Sequence, residues 1–216
     1  MKKAVIFDMD GLMFDTEPLY FKGNQITAES VGIPFDYAFY KNYIGASDED
    51  LYQGMYETFE KEKVDAFIEN AEKDVEEVLF SDVPVLKKGL VPLLEYLKEK
   101  QFKTVVASSS KRHVVQNMLK NAKLTSYFDA IVGGDEVERS KPHPEIFQKA
   151  AKLTGVEGSA ILVLEDSMNG IRAAHAAGLD VIMIPDLMQP TDEARELTLD
   201  VCNDLHEILR KLKSGF

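Results

Sequence analysis

Residues 160–164, Ala-Ile-Leu-Val-Leu, form an unbroken apolar run that stops at Glu165-Asp166. A run of this length without polar alternation suits a strand covered on both faces, as in a parallel sheet. The pattern recurs along the chain. Ala4–Phe7 is apolar and stops at Asp8-Met9-Asp10-Gly11, and a strand over 103–107 stops at Ser108-Ser109-Ser110. Shorter runs cover 130–132 and 180–184, and a weak one lies near 198–201. Between them the spacing predicts helices over 89–100, 111–122, 143–154, 168–177 and 204–213. Alternating strands and helices predict an α/β fold: a parallel sheet with a helical layer on each face.

One segment breaks the alternation. Residues 15–83 read as helices over 17–31, 36–43, 48–60 and 64–80, with Gly45-Ala46-Ser47 as a loop and Ser47 as an N-cap. The aromatic residues Phe35, Tyr37, Phe39, Tyr40 and Tyr43 crowd together and suit a small core of their own. The expected organisation is a three-layer, Rossmann-like core of 1–14 and 84–216, with 15–83 inserted after the first strand as an all-helical cap. Its two junctions would act as paired hinges, letting the cap close as a lid. The formal charge of −12 lies in this insertion, which has 17 Asp and Glu against 5 Lys and Arg; the remainder has 20 of each. An acidic surface repels nucleic-acid phosphates, so no nucleic-acid partner is expected. No apolar run reaches bilayer length, and no membrane partner is expected. The start, Met1-Lys2-Lys3 leading directly into a strand, lacks the apolar stretch of a signal peptide. The single cysteine, Cys202, suits a small buried residue. These features predict a cytoplasmic protein.

Parallel sheets bind ligands at the carboxyl ends of their strands. There the chain collects Asp8 and Asp10, Ser108 and Ser109, and Glu165 and Asp166, with Lys141 in the loop Ser140-Lys141-Pro142 before a helix. Each has an ordinary reading: an Asp-Gly turn, helix-capping serines, a solvated loop lysine. Their coincidence on one edge favours a site. Asp8 and Asp10 point to one side of an extended chain, where a hard cation such as Mg²⁺ relieves their repulsion. An aspartate carboxylate is also a nucleophile toward phosphorus. Asp186, at another strand end, reads as a turn residue.

Taken in order, Asp8-Met9-Asp10-Gly11 with Asp15-Thr16-Glu17, Val105-Val106-Ala107-Ser108, Ser140-Lys141-Pro142 and Glu165-Asp166-Ser167-Met168-Asn169-Gly170 resemble the four motifs of the haloacid dehalogenase superfamily of phosphotransferases. The likeness is to its branch with a helical cap after the first strand, which includes β-phosphoglucomutase and sugar-phosphate phosphatases. The resemblance implies that Asp8 takes the phosphoryl group as an aspartyl-phosphate, while Asp10 protonates the leaving oxygen and then activates water. It implies Mg²⁺ held by Asp8, the Asp10 carbonyl and Asp166, with Glu165 beside them. Ser108 and the N–H of Ser109 at a helix start would bind phosphate, and Lys141 would steady Asp8. Gly170 would let its helix pack close to the sheet. Where the mutases of this branch carry a cap histidine and arginine, this chain looks to have Tyr20 and Asp48. Tyr20 is a poor proton shuttle near neutral pH, and Asp48 would repel a second phosphate. The expected function is therefore a Mg²⁺-dependent phosphatase of small phosphorylated metabolites, sugar phosphates first, acting as a monomer. The alternatives are a β-phosphoglucomutase-type isomerase and a pseudouridine or nucleoside 5′-monophosphate phosphatase.

Overall fold

The computed structural model describes residues 1–44, 48–81 and 83–216. In chain order the strands are β1 (Ala4–Phe7), β2 (Phe14–Asp15), β3 (Val85–Leu86), β4 (Lys103–Ala107), β5 (Ala130–Val132), β6 (Ile161–Glu165), β7 (Asp180–Met183) and β8 (Asp200–Val201). The α-helices are α1 (Glu17–Ser30), α2 (Tyr37–Tyr40), α3 (Asp48–Thr58), α4 (Lys61–Ser81), α5 (Leu90–Glu99), α6 (Arg112–Asn121), α7 (Glu145–Thr154), α8 (Met168–Ala176), α9 (Asp192–Leu197) and α10 (Leu205–Lys213). The chain divides into two compact units, Met1–Asp15 with Pro84–Phe216, and Thr16–Val83.

The first unit is built on a six-stranded parallel sheet in the order β5-β4-β1-β6-β7-β8. Alternate residues of its strands serve opposite faces. Ala4 and Ile6 of β1, Val105 and Ala107 of β4, and Ile161 and Val163 of β6 join one cluster with Ile146, Phe147 and Ala150 of α7 and Ile171, Ala173 and Ala174 of α8. The intervening Val5, Phe7, Val106, Leu162 and Leu164 are equally buried. Burial on both sides explains why β1 and β6 read as unbroken apolar runs. The ribbon of β2 and β3 pairs Phe14 with Leu86 and Asp15 with Val85, holding the two crossings of the chain side by side.

The connection from β1 runs to β4 on one side, and that from β6 runs to β7 on the other. The crevice beyond their carboxyl ends is thus a topological switch point, where α/β sheets bind ligands. Register completes the placement. Phe7 lies opposite Leu164 and Val106, so Asp8 falls level with Glu165 and Ala107.

The second unit is helical. Ala28, Phe35, Tyr40, Leu51, Met55, Val64, Phe67 and Ala71 form its core. Of the aromatic group, Phe35 and Tyr40 build that core, with the Phe35 ring 5.7 Å from that of Tyr40 and 6.0 Å from that of Phe67; Phe39 and Tyr43 pack against it half-buried, and Tyr37, expected in the core, is exposed. Thr27 of α1 donates from Oγ1 to Asp74 of α4 at 2.7 Å. The expected loop 45–47, the Ser47 cap and the side chain of Asp48 lie outside the described residues. No helix of the described residues is long and apolar enough to cross a membrane.

Candidate active site

β1 delivers Asp8 into a nearly closed space; the residue is 6% exposed, and its N–H donates to the Leu164 carbonyl of β6 at 3.0 Å. Lys141 reaches in with a side chain also only 6% exposed. Its Nζ donates to Asp8 Oδ1 at 2.5 Å, to Glu165 Oε1 at 2.6 Å and to the Ala107 carbonyl at 3.3 Å. Glu165 is completely buried. Its Oε2 accepts from the N–H of Asp166 at 2.8 Å, the N–H of Ser167 at 2.9 Å and the Ser167 hydroxyl at 3.0 Å. One carboxylate therefore ties Lys141 to the end of β6 and to the start of α8, where Ser167 caps Gly170. Gly170 has no room for a side chain: a Cβ there would lie 1.6 Å from Glu165 Oε1. Its expected close approach is made, and what crowds it is this carboxylate rather than sheet backbone.

Asp10 is met by two hydroxyls at one oxygen. Ser110 Oγ donates to its Oδ2 at 2.9 Å, and Ser108 Oγ lies 3.4 Å from the same atom. Ser108 is fully buried and accepts at Oγ from the Ser110 N–H at 3.0 Å. That turn delays the helix. α6 begins at Arg112, with its N–H on Asp135 at 2.7 Å, so Ser109 is an exposed loop residue and its N–H does not belong to a first helical turn. The helix start expected beside Ser109 is thus corrected to Arg112, while the Ser109 N–H as a phosphate donor stays a proposal. Ser110, which sequence reading passed over, is the third serine of a run whose members look alike until the turn fixes their directions.

Gly11 turns the chain out of the site at φ +76°, in the region that favours glycine. A Cβ there would stand 2.3 Å from Asp166 Oδ2 and 3.2 Å from Asp186 Oδ2. Gly11 thus makes space for two carboxylates, and Asp186 is more than a turn residue. Lys87 Nζ donates to Asp186 Oδ1 at 2.5 Å and balances its charge. This pair was not legible beforehand, because its members are 99 positions apart.

Crowded carboxylates change their proton affinity. Burial pushes the Asp8 carboxyl up to about 8, with Glu165 and Asp10 adding to the rise and Lys141 opposing it. Burial, then Glu165 and Asp8, raise Asp166 well above the usual carboxylate range. Burial works against the Lys141 ammonium, but Asp8 and Glu165 outweigh it and raise its pKa further. Asp8, Glu165 and Asp166 each offer an oxygen, and these lie within 4.8 Å of one another. Oxygen-only donors with surplus negative charge match a hard divalent cation such as Mg²⁺. Asp8, Lys141, Glu165 and Asp166 are thus brought together, with Asp10 and Ser108 alongside, while Ser109 stays at the surface.

A family model described as haloacid dehalogenase-like hydrolase matches residues 5–184. The chain is 34% identical over 183 residues to the phosphorylated carbohydrates phosphatase of Thermotoga maritima, an overlap covering 83% of each chain. It is 33% identical over 187 residues to the probable pseudouridine-5′-phosphatase of Drosophila melanogaster, covering 84% of this chain and 80% of that one. Among solved structures it is similar to a putative β-phosphoglucomutase of Thermotoga maritima, with a TM-score of 0.83, 29% identity and full coverage of both chains.

Proposed function

The chain belongs to the haloacid dehalogenase-like hydrolases and is a phosphatase, and from that premise we propose that it hydrolyses small phosphorylated metabolites, sugar phosphates first, with Mg²⁺ and through an aspartyl-phosphate at Asp8. The observation that carries this reading is the Lys141 ammonium seated between Asp8 and Glu165 at the switch point. Phosphoryl transfer depends chiefly on positioning and on neutralised charge. Lys141 holds one Asp8 oxygen in place, which leaves the other to attack phosphorus. The P–O ester bond breaks as the Asp8 O–P bond forms, and Asp10 in its acid form gives its proton to the departing alcohol. The Asp10 carboxylate then takes a proton from water as that water attacks the phosphorus of the aspartyl-phosphate. The Asp8 O–P bond breaks and inorganic phosphate leaves. Asp8, the Asp10 carbonyl and Asp166 would hold Mg²⁺, with Glu165 beside them. The ion would supply positive charge against the phosphoryl oxygens. Ser108 would donate to the phosphoryl group.

Sugar phosphates come first because of the named activity of the Thermotoga relative, and the pseudouridine-phosphatase relative keeps nucleoside 5′-monophosphates in view. The mutase-named structural neighbour favours a second reading, isomerisation of a sugar phosphate. Tyr20 and Asp48, standing where mutases have histidine and arginine, speak against it. The test is phosphate release over sugar phosphates, polyol phosphates and nucleoside monophosphates, with Mg²⁺ and with EDTA. Release from sugar phosphates that EDTA abolishes and Mg²⁺ restores is expected. Activity surviving EDTA contradicts the metal assignment, and ester re-formation only with a bisphosphate primer favours the mutase.

A further inference from the structure

Three serines follow β4, and the phosphatase reading uses only the first as a side-chain donor to phosphate. Ser108 has one hydroxyl proton. It cannot serve a phosphoryl oxygen and Asp10 at once. Its 3.4 Å approach to Asp10 Oδ2 is already at the outer limit of a hydrogen bond, whereas Ser110 Oγ makes 2.9 Å to the same oxygen. The two serines are also coupled. The Ser110 N–H donates to Ser108 Oγ at 3.0 Å, occupying a lone pair there. The turn that holds Ser108 is thus the one that brings the Ser110 hydroxyl to Asp10.

We propose that Ser110 is a positioning residue for the acid–base group: its hydroxyl fixes the rotation of the Asp10 carboxyl so that Ser108 can give its proton to the phosphoryl group. The proposal rests on the phosphatase reading above. Asp10 is a half-buried side chain, and a carboxyl free to rotate would deliver its proton to the leaving oxygen less often. Proton delivery matters in proportion to the basicity of the leaving group. A nitrophenolate departs without a proton; an alkoxide does not.

The experiment compares kcat/KM of wild type, Ser110→Ala and Ser110→Thr on 4-nitrophenyl phosphate, phenyl phosphate and benzyl phosphate with Mg²⁺. This ratio reports expulsion of the leaving group and not the later hydrolysis. Ser110→Ala should lose about 2- to 10-fold more on benzyl phosphate than on 4-nitrophenyl phosphate, the scale of one lost hydrogen bond to the neutral acid form of Asp10. Ser110→Thr, which keeps the hydroxyl, should restore most of the difference. Equal losses across the three esters would mark Ser110 as merely structural and overturn the proposal, as would no loss at all. A wild-type protein inactive on all three esters and on the metabolite panel would overturn the phosphatase reading itself, and this proposal with it.

Discussion

Asp8 and Asp166 both carry raised proton affinities, and that direction fixes the sign of a pH effect. A carboxyl whose folded pKa is raised holds its proton to higher pH than in the unfolded chain. The native state therefore binds more protons than the unfolded one between the two pKa values, and stability falls as pH rises through that window. For Asp8 the window runs from 3.8 to about 8. The metal-free protein should accordingly lose thermal stability from about pH 4 to about pH 8. Mg²⁺, binding the folded carboxylates, should raise the melting temperature more at pH 8 than at pH 5. Melting curves across this range, with EDTA and with Mg²⁺, check it; a flat metal-free profile would contradict the buried cluster. At this scale Asp8, Asp10, Glu165 and Asp166 stood out because they follow apolar runs, and Lys141 because it lies in a short polar loop before a helix. Ser110, Lys87 and Asp186 were not, because their roles depend on directions and distances that one-dimensional spacing does not carry.

The elements that position the site are β1, β6 and the turns leaving them. The parallel strands were legible because burial on both faces writes itself as uninterrupted apolar sequence. β4 and β5 have the bounds expected of them. The helix α9 was missed, being six residues long with one buried residue, Ala194, and so lacking an apolar stripe. The ribbon β2–β3 was missed because two-residue strands have no period to read. α4 starts at Lys61 rather than 64, since its charged first turn carries no apolar signal. The turn at Gly11 gives the test for this scale. Gly11→Ala incurs both a positive-φ penalty of about 1–2 kcal/mol and a collision with Asp166. Gly178→Ala, at φ +71° with nothing within 4 Å of its Cβ, incurs only the first. Both variants should therefore melt lower, but only Gly11→Ala should lose Mg²⁺ affinity, by about 10-fold or more. Equal Mg²⁺ affinities in the two variants would sever Gly11 from the metal site.

At the scale of the whole molecule, the sheet order explains why residues from four distant stretches meet. β1 sits between β4 and β6, so motifs near 8, 108 and 165 become neighbours although more than 50 positions separate any two. The acidic helical insertion was legible as a unit from its loss of strand pattern and its charge. The closing strand β8 carries the chain to Cys202, which is 1% exposed, as its reading as a small buried residue anticipated. Burial, then Asp200, push its thiol up to about 11. In the native protein at pH 8 this thiol should label slowly with a thiol reagent, and at full rate once guanidinium unfolds the sheet. Rapid native labelling would show that the β8 edge opens far below global unfolding. The central claim, that a nucleophilic Asp8 steadied by Lys141 carries phosphoryl transfer, is tested most directly by phosphate release from Asp8→Asn beside wild type, with circular dichroism and melting temperature showing both folded. Turnover at background in the variant, with the fold retained, is the predicted result; substantial release by folded Asp8→Asn would contradict it.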